Sequence, residues 1–444
     1  MSLGFALLVT AALAAWWLAG ARSFAYLVYY LSFVPFVTLD LTDGGLQDVG
    51  DFSSDLVLLK MTTRLATSAL VVLLLARRRR AFGVLADVRV APVVFLVVWS
   101  SLGLFEARDP LVPLFRLGEL AVFVLAGAVL WSDSVRGAPL RSVLRWHALA
   151  LLPLVAITLA YLVIHPELAM HVGADGMVRM GNRLLNAETL GTTGALLVLW
   201  SSFELKEPRA HADTWWRERL VPAACLVVAV SVLVLARSRT AMIATIAGEI
   251  VLWSPFFGAT RRQWLSSAGF FALALVLAAL NPDEIERWFL RGDSVANLRT
   301  GTGRTDLWAH LLDDAVPESP LLGNGYLHLS AQGGFWHAGN YWTNAHNAYL
   351  GALLYAGIPG LVAVCTILAL PIAHAWRRAR DFTRRTAERN AWTLLLAFAT
   401  LAAISSATSF GVCGWPNPLM LFFYALYPLA VCGPRASPAD DLAE

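Results

Sequence analysis

The sequence predicts an all-α membrane protein, a polytopic bundle of about 12 transmembrane helices. Hydrophobic residues make up 58% of the 444-residue chain, charged residues make up only 15%, and the mean hydropathy is +0.61. The apolar residues are gathered in runs of about 20 residues, the length at which a helix spans the hydrocarbon core of a bilayer. These runs leave no room for a second soluble domain, so we expect a single transmembrane domain over residues 1–436.

Basic residues set the predicted orientation of the helices, because cytoplasmic loops are enriched in Lys and Arg. The first apolar run, 3–19, starts without the positive region of a signal peptide and is interpreted as a retained helix, and a second run follows at 24–37. Four consecutive arginines at 77–80 follow the run at 56–76 and place its end on the cytoplasmic side, with the acidic loop at 40–55 outside. Later runs alternate in direction, with basic connections inside. They lie at 90–105, 114–131, 146–164, 187–203, 220–236, 240–257, 264–280, 345–376, 392–409 and 419–431.

One predicted external loop, residues 281–344, is far longer than the other connections between helices. Connections of this length in a compact helical bundle are usually functional. The loop contains short amphipathic stretches at 283–290 and 305–312, and we expect it to cap a cavity on the outer face of the bundle. The polar residues 437–444 are expected to form a disordered cytoplasmic tail.

Arg237, Arg239 and Arg304 lie on the predicted outer side and break the rule that places basic residues inside. Ser238 or Thr240 can cap the helix that starts beside the first two, so free backbone N–H groups and the helix dipole already favour an anion there. Guanidinium groups add bidentate donors for phosphoryl oxygens. The pattern favours a phosphate site, although arginines that extend to lipid headgroups fit it as well.

His346 lies where the external loop meets the next apolar run. We expect Asn344 to cap that helix, which places His346 in the first turn, where the helix dipole disfavours a charged imidazole. A neutral imidazole at this surface fits a general base that accepts the proton of a sugar hydroxyl. A histidine that only packs against its neighbours fits the same position. Asn347 and His337 are secondary candidates for substrate binding.

Other chemistry has less support in the sequence. Asp313, Asp314 and Glu318 could hold a divalent metal. Acidic residues of this kind are more often simply solvated in a loop, so no metal site is expected. The chain has no Walker motif, Rossmann glycine pattern or zinc spacing, so no nucleotide or other cofactor is expected. Nucleic acid is not an expected partner either. The energy for a reaction would then come from the substrate itself.

Four motifs, taken in order and with their predicted sides of the membrane, resemble the O-antigen ligase and polymerase superfamily. They are Arg-Ser-Arg-Thr at 237–240, Gly-Arg at 303–304 with Trp308, His-Asn-Ala-Tyr-Leu at 346–350, and Gly-Ile-Pro-Gly at 357–360. The resemblance covers roughly residues 220–410 and implies a fold similar to GT-C glycosyltransferases. It also implies a multi-pass protein of the bacterial inner membrane, with an active site that faces the periplasm.

The ligases of this family complete lipopolysaccharide by moving an O-antigen glycan from undecaprenyl diphosphate to the lipid A-core oligosaccharide, without metal or nucleotide. The resemblance therefore implies these two substrates, in contact with membrane lipids. It implies that His346 is the catalytic base, that Arg239 and Arg304 bind the diphosphate, and that the anomeric carbon is inverted. Arg237 departs from the usual family pattern, which stresses a single arginine before the small residues.

Three activities of the superfamily remain open at this point: ligation, polymerisation of repeat units, and O-glycosylation of proteins. Protein-glycosylating members resemble longer chains with a soluble C-terminal portion, which disfavours that activity here. One dominant external loop between the late helices favours a ligase over a polymerase. The alternative from another class is a transporter of polyprenyl-linked glycans. It would predict a polar path through the helices, yet the apolar runs hold few charges beyond Lys60 and Arg64.

Overall fold

The computed structural model is mostly helical, in agreement with the predicted class. In chain order its helices are α1 Arg79–Leu85, α2 Ala91–Leu102, α3 Leu111–Ser134, α4 Leu140–Leu149, α5 Leu152–Ile164, α6 Pro166–Ala169, α7 Ala187–Lys206, α8 Trp215–Ala236, α9 Arg239–Trp253, α10 Arg304–His310, α11 Val316–Glu318, α12 Ala348–Ala379, α13 Thr386–Thr408 and α14 Pro418–Cys432.

The structure describes most of the chain between residues 71 and 433. Apart from a few isolated positions, the described ranges are 71–77, 79–105, 110–134, 140–149, 151–164, 166–172, 178–180, 187–206, 215–257, 259–261, 303–326, 335–337, 340–342, 344–383, 386–409, 411–413 and 417–433. The apolar runs predicted at 3–19, 24–37 and 264–280, the acidic loop, the first part of the long loop and the tail at 437–444 lie outside them, nearly or entirely. The count of about 12 spans and the single domain therefore stay predictions.

Five stretches among the described residues are helical, long and apolar enough to cross a membrane. Two shorter apolar helices, Ala91–Phe105 and Pro418–Cys432, accompany them. Large apolar side chains on α8 and α9 point out of the bundle, as lipid-facing surfaces require. The most exposed of them are Leu220, Val227, Ile243 and Ile250.

Two short antiparallel hairpins, which the sequence did not predict, occur between the helices. Strand β1 (Met170–Val172) pairs with β2 (Val178–Met180), and β3 (Phe335–His337) pairs with β4 (Asn340–Trp342). Both hairpins lie outside the apolar runs, in segments whose sequence has no helical periodicity from which to predict structure. Their valine and aromatic residues are typical strand formers.

Helix α7 packs against α8 and α9, and α13 packs against α9 and α12. Small residues permit the closest approaches between helices, as is common in membrane bundles. A Cβ atom added to Gly191 of α7 would lie 2.6 Å from Cβ of Ser238, the residue that caps α9. The start of α9 is therefore held tightly against the first turns of α7.

Helix α12 is broken at Gly357, whose backbone has φ 65° and ψ −166°. The segment 319–326, which we call the clasp loop, fills this break. The amide of Asn324 donates to Leu354 O over 2.7 Å, and the amide of Ile358 donates to Pro320 O over 2.8 Å. Backbone groups freed by a broken membrane helix need such partners, because each unsatisfied group costs several kcal/mol in an apolar environment.

The residues around the break suit this arrangement. The second half of α12 begins after Gly357, so Pro359 lies in a first turn, where a missing N–H group costs nothing. The indole Nε1 of Trp99 on α2 donates to Ala356 O over 3.0 Å and lies 3.3 Å from Leu321 O. Helix α2, the clasp loop and α12 are thereby joined at one point.

Replacing Gly357 by Ala is expected to destabilise the protein by about 2–3 kcal/mol. The new Cβ would lie 2.2 Å from Leu321 O, at a φ that side-chain-bearing residues rarely adopt. Gly118→Ala in α3 is the matched control, since a Cβ there meets nothing within 4 Å. Thermal unfolding of both variants in detergent measures the effect, and equal melting temperatures would contradict this account of the break.

Candidate active site

Five helix ends meet at one end of the bundle: the starts of α7, α9, α10 and α12, and the end of α13. The contacts among them involve residues that are far apart in the sequence. Arg304 of α10 bonds to residues of α7 and α13, and Thr240 of α9 bonds to Thr408 of α13. The predicted site residues Arg239, Arg304 and His346 all belong to this cluster of helix ends.

Arg304 is the central cation of this cluster. Its Nη1 donates to the carbonyl oxygen of Thr408 over 2.6 Å, and its Nη2 donates to Oε1 of Glu188 over 3.1 Å. Gly303 precedes it with a φ of 79°, a left-handed conformation that suits glycine and starts α10 in the direction of α7 and α13. The side chain of Arg304 keeps 20% of its surface exposed, so it is accessible to a ligand.

Arg239 is the first residue of α9, and its N-cap is Ser238, one of the two predicted candidates. The amide of Ala241 donates to Oγ of Ser238 over 3.4 Å. Beside Arg239, the hydroxyls of Thr240 and Thr408 are 2.6 Å apart. Because Thr408 also accepts a bond from Arg304, this pair of threonines holds the start of α9 next to the start of α10.

Arg237 and His346 share an unusual backbone conformation, with φ values of 49° and 47°. They are the two non-glycine residues with positive φ in the part of the chain that the structure describes. Each such residue costs about 1 kcal/mol or more, and such strain concentrates at functional sites. Both residues immediately precede the cap of a helix, so the strain sets the direction in which the chain enters α9 and α12.

Asn347, not Asn344, caps α12. Its side-chain oxygen accepts from the amides of Tyr349 and Leu350 over 2.9 and 3.0 Å. Asn344 instead accepts from the amide of His346 over 2.7 Å in a local turn. The predicted cap was therefore wrong by three residues, because two Asn residues compete there, and His346 lies just before the helix rather than in its first turn.

The imidazole of His346 lies among aromatic and charged neighbours. The ring of Trp342 meets it edge-on, with centroids 5.6 Å apart. The indole of Trp308 donates to Ala345 O over 2.8 Å and fixes the adjoining backbone. Burial lowers the pKa of His346 from 6.5 to about 4, the charge of Glu188 opposes this shift, and the charge of Arg304 adds to it. The ring is thus neutral at physiological pH.

His337 lies apart from this cation cluster. Its ring stacks on His310, with centroids 4.3 Å apart and planes within 7° of parallel. His310 ends α10, about 9 Å along the helix from Arg304 at its start. The position separates His337 from Arg304, whereas the charges of Arg304 and Glu188 both act on His346.

Among the acidic residues of the long loop, Asp314 has a histidine as its partner. Asp314 lies 2.5 Å from Nδ1 of His310, and Asp313 is in the same π-helical turn, Leu311–Ala315. Across the described part of the chain, no cluster of three or more His, Cys, Asp or Glu side chains has the arrangement to hold a metal ion.

The sequence analysis missed Glu188 and Thr408, both of which bond to Arg304. Glu188 carries a detectable signal, since it is an acidic residue in the first turn of a helix on the same predicted side as the arginines. Thr408 contributes a backbone carbonyl, which every residue type has. No sequence pattern could single it out.

Residues 224–365 match the family model described as O-antigen ligase. All the site residues predicted from the sequence fall inside that segment, whereas Glu188 and Thr408 fall outside it. A search of curated proteins finds no match.

The lowered pKa of His346 predicts a pH-dependent difference between the wild type and His346→Gln. The unfolded chain takes up this proton near pH 6.5 and the folded protein only near pH 4, so His346 reduces the free energy of unfolding as the pH falls through that interval. Between about pH 7 and about pH 5, the wild type should lose about 2 kcal/mol more than the variant. Parallel melting temperatures across this range would contradict a neutral, buried imidazole.

Proposed function

We propose that this protein, whose residues 224–365 match the O-antigen ligase family model, transfers a glycan from undecaprenyl diphosphate to the lipid A-core oligosaccharide. The observation that supports the proposal most is the convergence of Arg304, the start of α9 and His346 at one end of the bundle. A diphosphate binder and a neutral base are the two functions that such a transfer needs.

The donor diphosphate would bind between Arg304 and Arg239. Arg304 offers a guanidinium with partial exposure, and Arg239 stands at a helix N-terminus whose backbone N–H groups favour anions. Arg237, turned by its positive φ at the same junction, is the third proposed diphosphate ligand. Stabilising the diphosphate as it leaves is the main electrostatic contribution of these residues.

His346 would remove the proton from the attacking hydroxyl of the acceptor. That oxygen attacks the anomeric carbon from the face opposite the diphosphate, the bond between this carbon and the diphosphate oxygen breaks, and the leaving group departs with the electron pair. The anomeric configuration is therefore inverted. A general base of this kind contributes about 10² to 10⁴ in rate. The energy comes from the diphosphate ester, so the reaction needs no nucleotide.

The surroundings fit a membrane-embedded donor. The exposed apolar faces of α8 and α9 are suitable surfaces for a polyprenyl chain whose diphosphate reaches the start of α9. In this proposal the clustered helix ends face the periplasm, the loop at 281–344 covers them, and the architecture is GT-C-like. Asn347 and His337 would contact sugar residues, Asn347 through the amide nitrogen that its capping role leaves available.

Loss of the base gives the first test. His346→Ala is expected to reduce transfer at least 100-fold while leaving donor affinity within about threefold of the wild type. The assay uses purified protein, undecaprenyl-diphosphate-linked glycan and lipid A-core acceptor, with no nucleotide added. His374→Ala is the matched control, because His374 lies further along α12 and contacts Ala430 O, away from the cluster of helix ends.

The products of this assay separate the alternatives. Glycan lengthening on the donor lipid would identify a polymerase. Movement of the donor between vesicle leaflets without transfer would identify a transporter and sink the proposal. Wild-type activity in His346→Ala would remove His346 as the base.

Arg304→Ala and Arg239→Ala are expected to weaken donor binding as well as transfer. Each loses charge-assisted bonds to the diphosphate, which corresponds to about 10- to 100-fold in the dissociation constant. The affinity for undecaprenyl diphosphate can be measured by titration in detergent. Arg89→Ala is the control, since Arg89 pairs with Asp87 and Val431 O in another part of the bundle. Unchanged affinity in both site variants would exclude them as diphosphate ligands.

A further inference from the structure

Glu188 holds a position that the proposed diphosphate site leaves unexplained. Its Oε1 accepts a bond from Nη2 of Arg304 over 3.1 Å, so a carboxylate lies where an anionic ligand of Arg304 would approach. The pair is not deeply buried, with side-chain exposures of 31% for Glu188 and 20% for Arg304. A partly exposed pair of this kind contributes little to stability and separates at little cost.

Arg304 does not depend on Glu188 for its position. Its Nη1 bonds to the carbonyl oxygen of Thr408 over 2.6 Å, and Thr408 is linked in turn to Thr240. If a diphosphate took the place of Glu188 at Nη2, Arg304 would still be held against α13. The carboxylate can therefore leave without loss of the arginine's anchor.

Glu188 itself stands on a rigid support. It lies in the first turn of α7, one turn before Gly191, which packs against Ser238 at the start of α9. Its backbone is fixed by this packing, and its side chain keeps 31% of its surface exposed. The charge of Glu188 also reaches His346, where it favours the imidazolium and opposes the effects of burial and of Arg304.

We propose that Glu188 is a positioning residue that exchanges partners during the reaction: it pairs with Arg304 before the donor binds, and with the imidazolium of His346 once the diphosphate occupies Arg304. This inference rests on the proposed function. It gives the site a link between donor binding and base strength, because the diphosphate neutralises Arg304 and releases Glu188 at the same time.

The exchange addresses a chemical difficulty. A buried imidazole beside a cation is a weak base, whereas catalysis is most effective when the pKa of the base is near the working pH. In the transfer step, a ring nitrogen of His346 takes the hydroxyl proton, the acceptor oxygen bonds to the anomeric carbon, and the diphosphate leaves with the electron pair of the broken bond. Glu188 stabilises the resulting imidazolium, which later gives its proton to solvent.

Other charged groups at this end of the bundle are contributed by the elements that contact α7. They are Arg179 on β2, Arg237 and Arg239 at the start of α9, and Arg304 on α10. Arg304 is the cation among them whose charge lowers the pKa of His346. Glu188 is the carboxylate whose charge acts on His346 among these groups.

Glu188→Gln tests the exchange through opposite effects on binding and turnover. The variant loses the anion that competes with the diphosphate, so the donor KM is expected to fall about threefold or more. It also loses the charge that stabilises the imidazolium, so kcat is expected to fall about 10- to 100-fold, and the acidic limb of the kcat profile should move about one pH unit lower. Glu188→Asp, which keeps the charge, should recover part of kcat.

Glu204→Gln is the matched control, because Glu204 lies on the same helix and pairs with Arg141 over 2.8 Å, near the other end of α7. It should change the melting temperature without moving the acidic limb. A purely structural Glu188 would lower kcat, raise the donor KM and leave the acidic limb in place, and this result would overturn the inference. Wild-type protein that transfers no glycan would instead refute the proposed function, whatever the variants do.

Discussion

The break in α12 is the constraint on which the arrangement of the site depends. A helix interrupted at Gly357 exposes backbone groups that the interior of a membrane bundle cannot hydrate, and the clasp loop supplies their partners. The clasp loop follows closely after α10 in the chain. The hydrogen bonds that it makes at the break therefore also hold the segment that begins with Arg304 beside the first half of α12, which begins after His346. A purely local demand for hydrogen bonds thus sets the distance between two distant parts of the chain.

Charge is distributed in the site so that its groups depend on one another. Arg304 connects α10 to both α7 and α13, and the same guanidinium lowers the basicity of His346. Glu188 opposes the effect of Arg304 on the histidine, since its negative charge favours the imidazolium. An anionic ligand at Arg304 would therefore change the basicity of His346 without contacting it, and so would link ligand binding to proton transfer.

Backbone strain and helix capping together orient the residues at the starts of α9 and α12. Arg237 and His346 adopt left-handed conformations, and each is followed by the residue that caps the next helix, Ser238 or Asn347. The cap bonds offset part of the strain and hold the two functional residues in defined directions at the helix starts. Loop residues without such support would lose more conformational freedom on binding a substrate.

The sequence by itself determined the membrane class, the order of the apolar helices within the described range, the two candidate caps of α9 and the set of candidate residues, because hydropathy, charge and short motifs are local properties. It predicted His346 as the key histidine but placed the helix cap at Asn344, three residues before the true cap, Asn347. The two asparagines cannot be told apart from the sequence alone. Only the tertiary structure decided that Glu188 and Thr408 meet Arg304. Those contacts join residues more than 100 positions apart, one of them through a backbone carbonyl, and they arise from helix packing that no local pattern encodes.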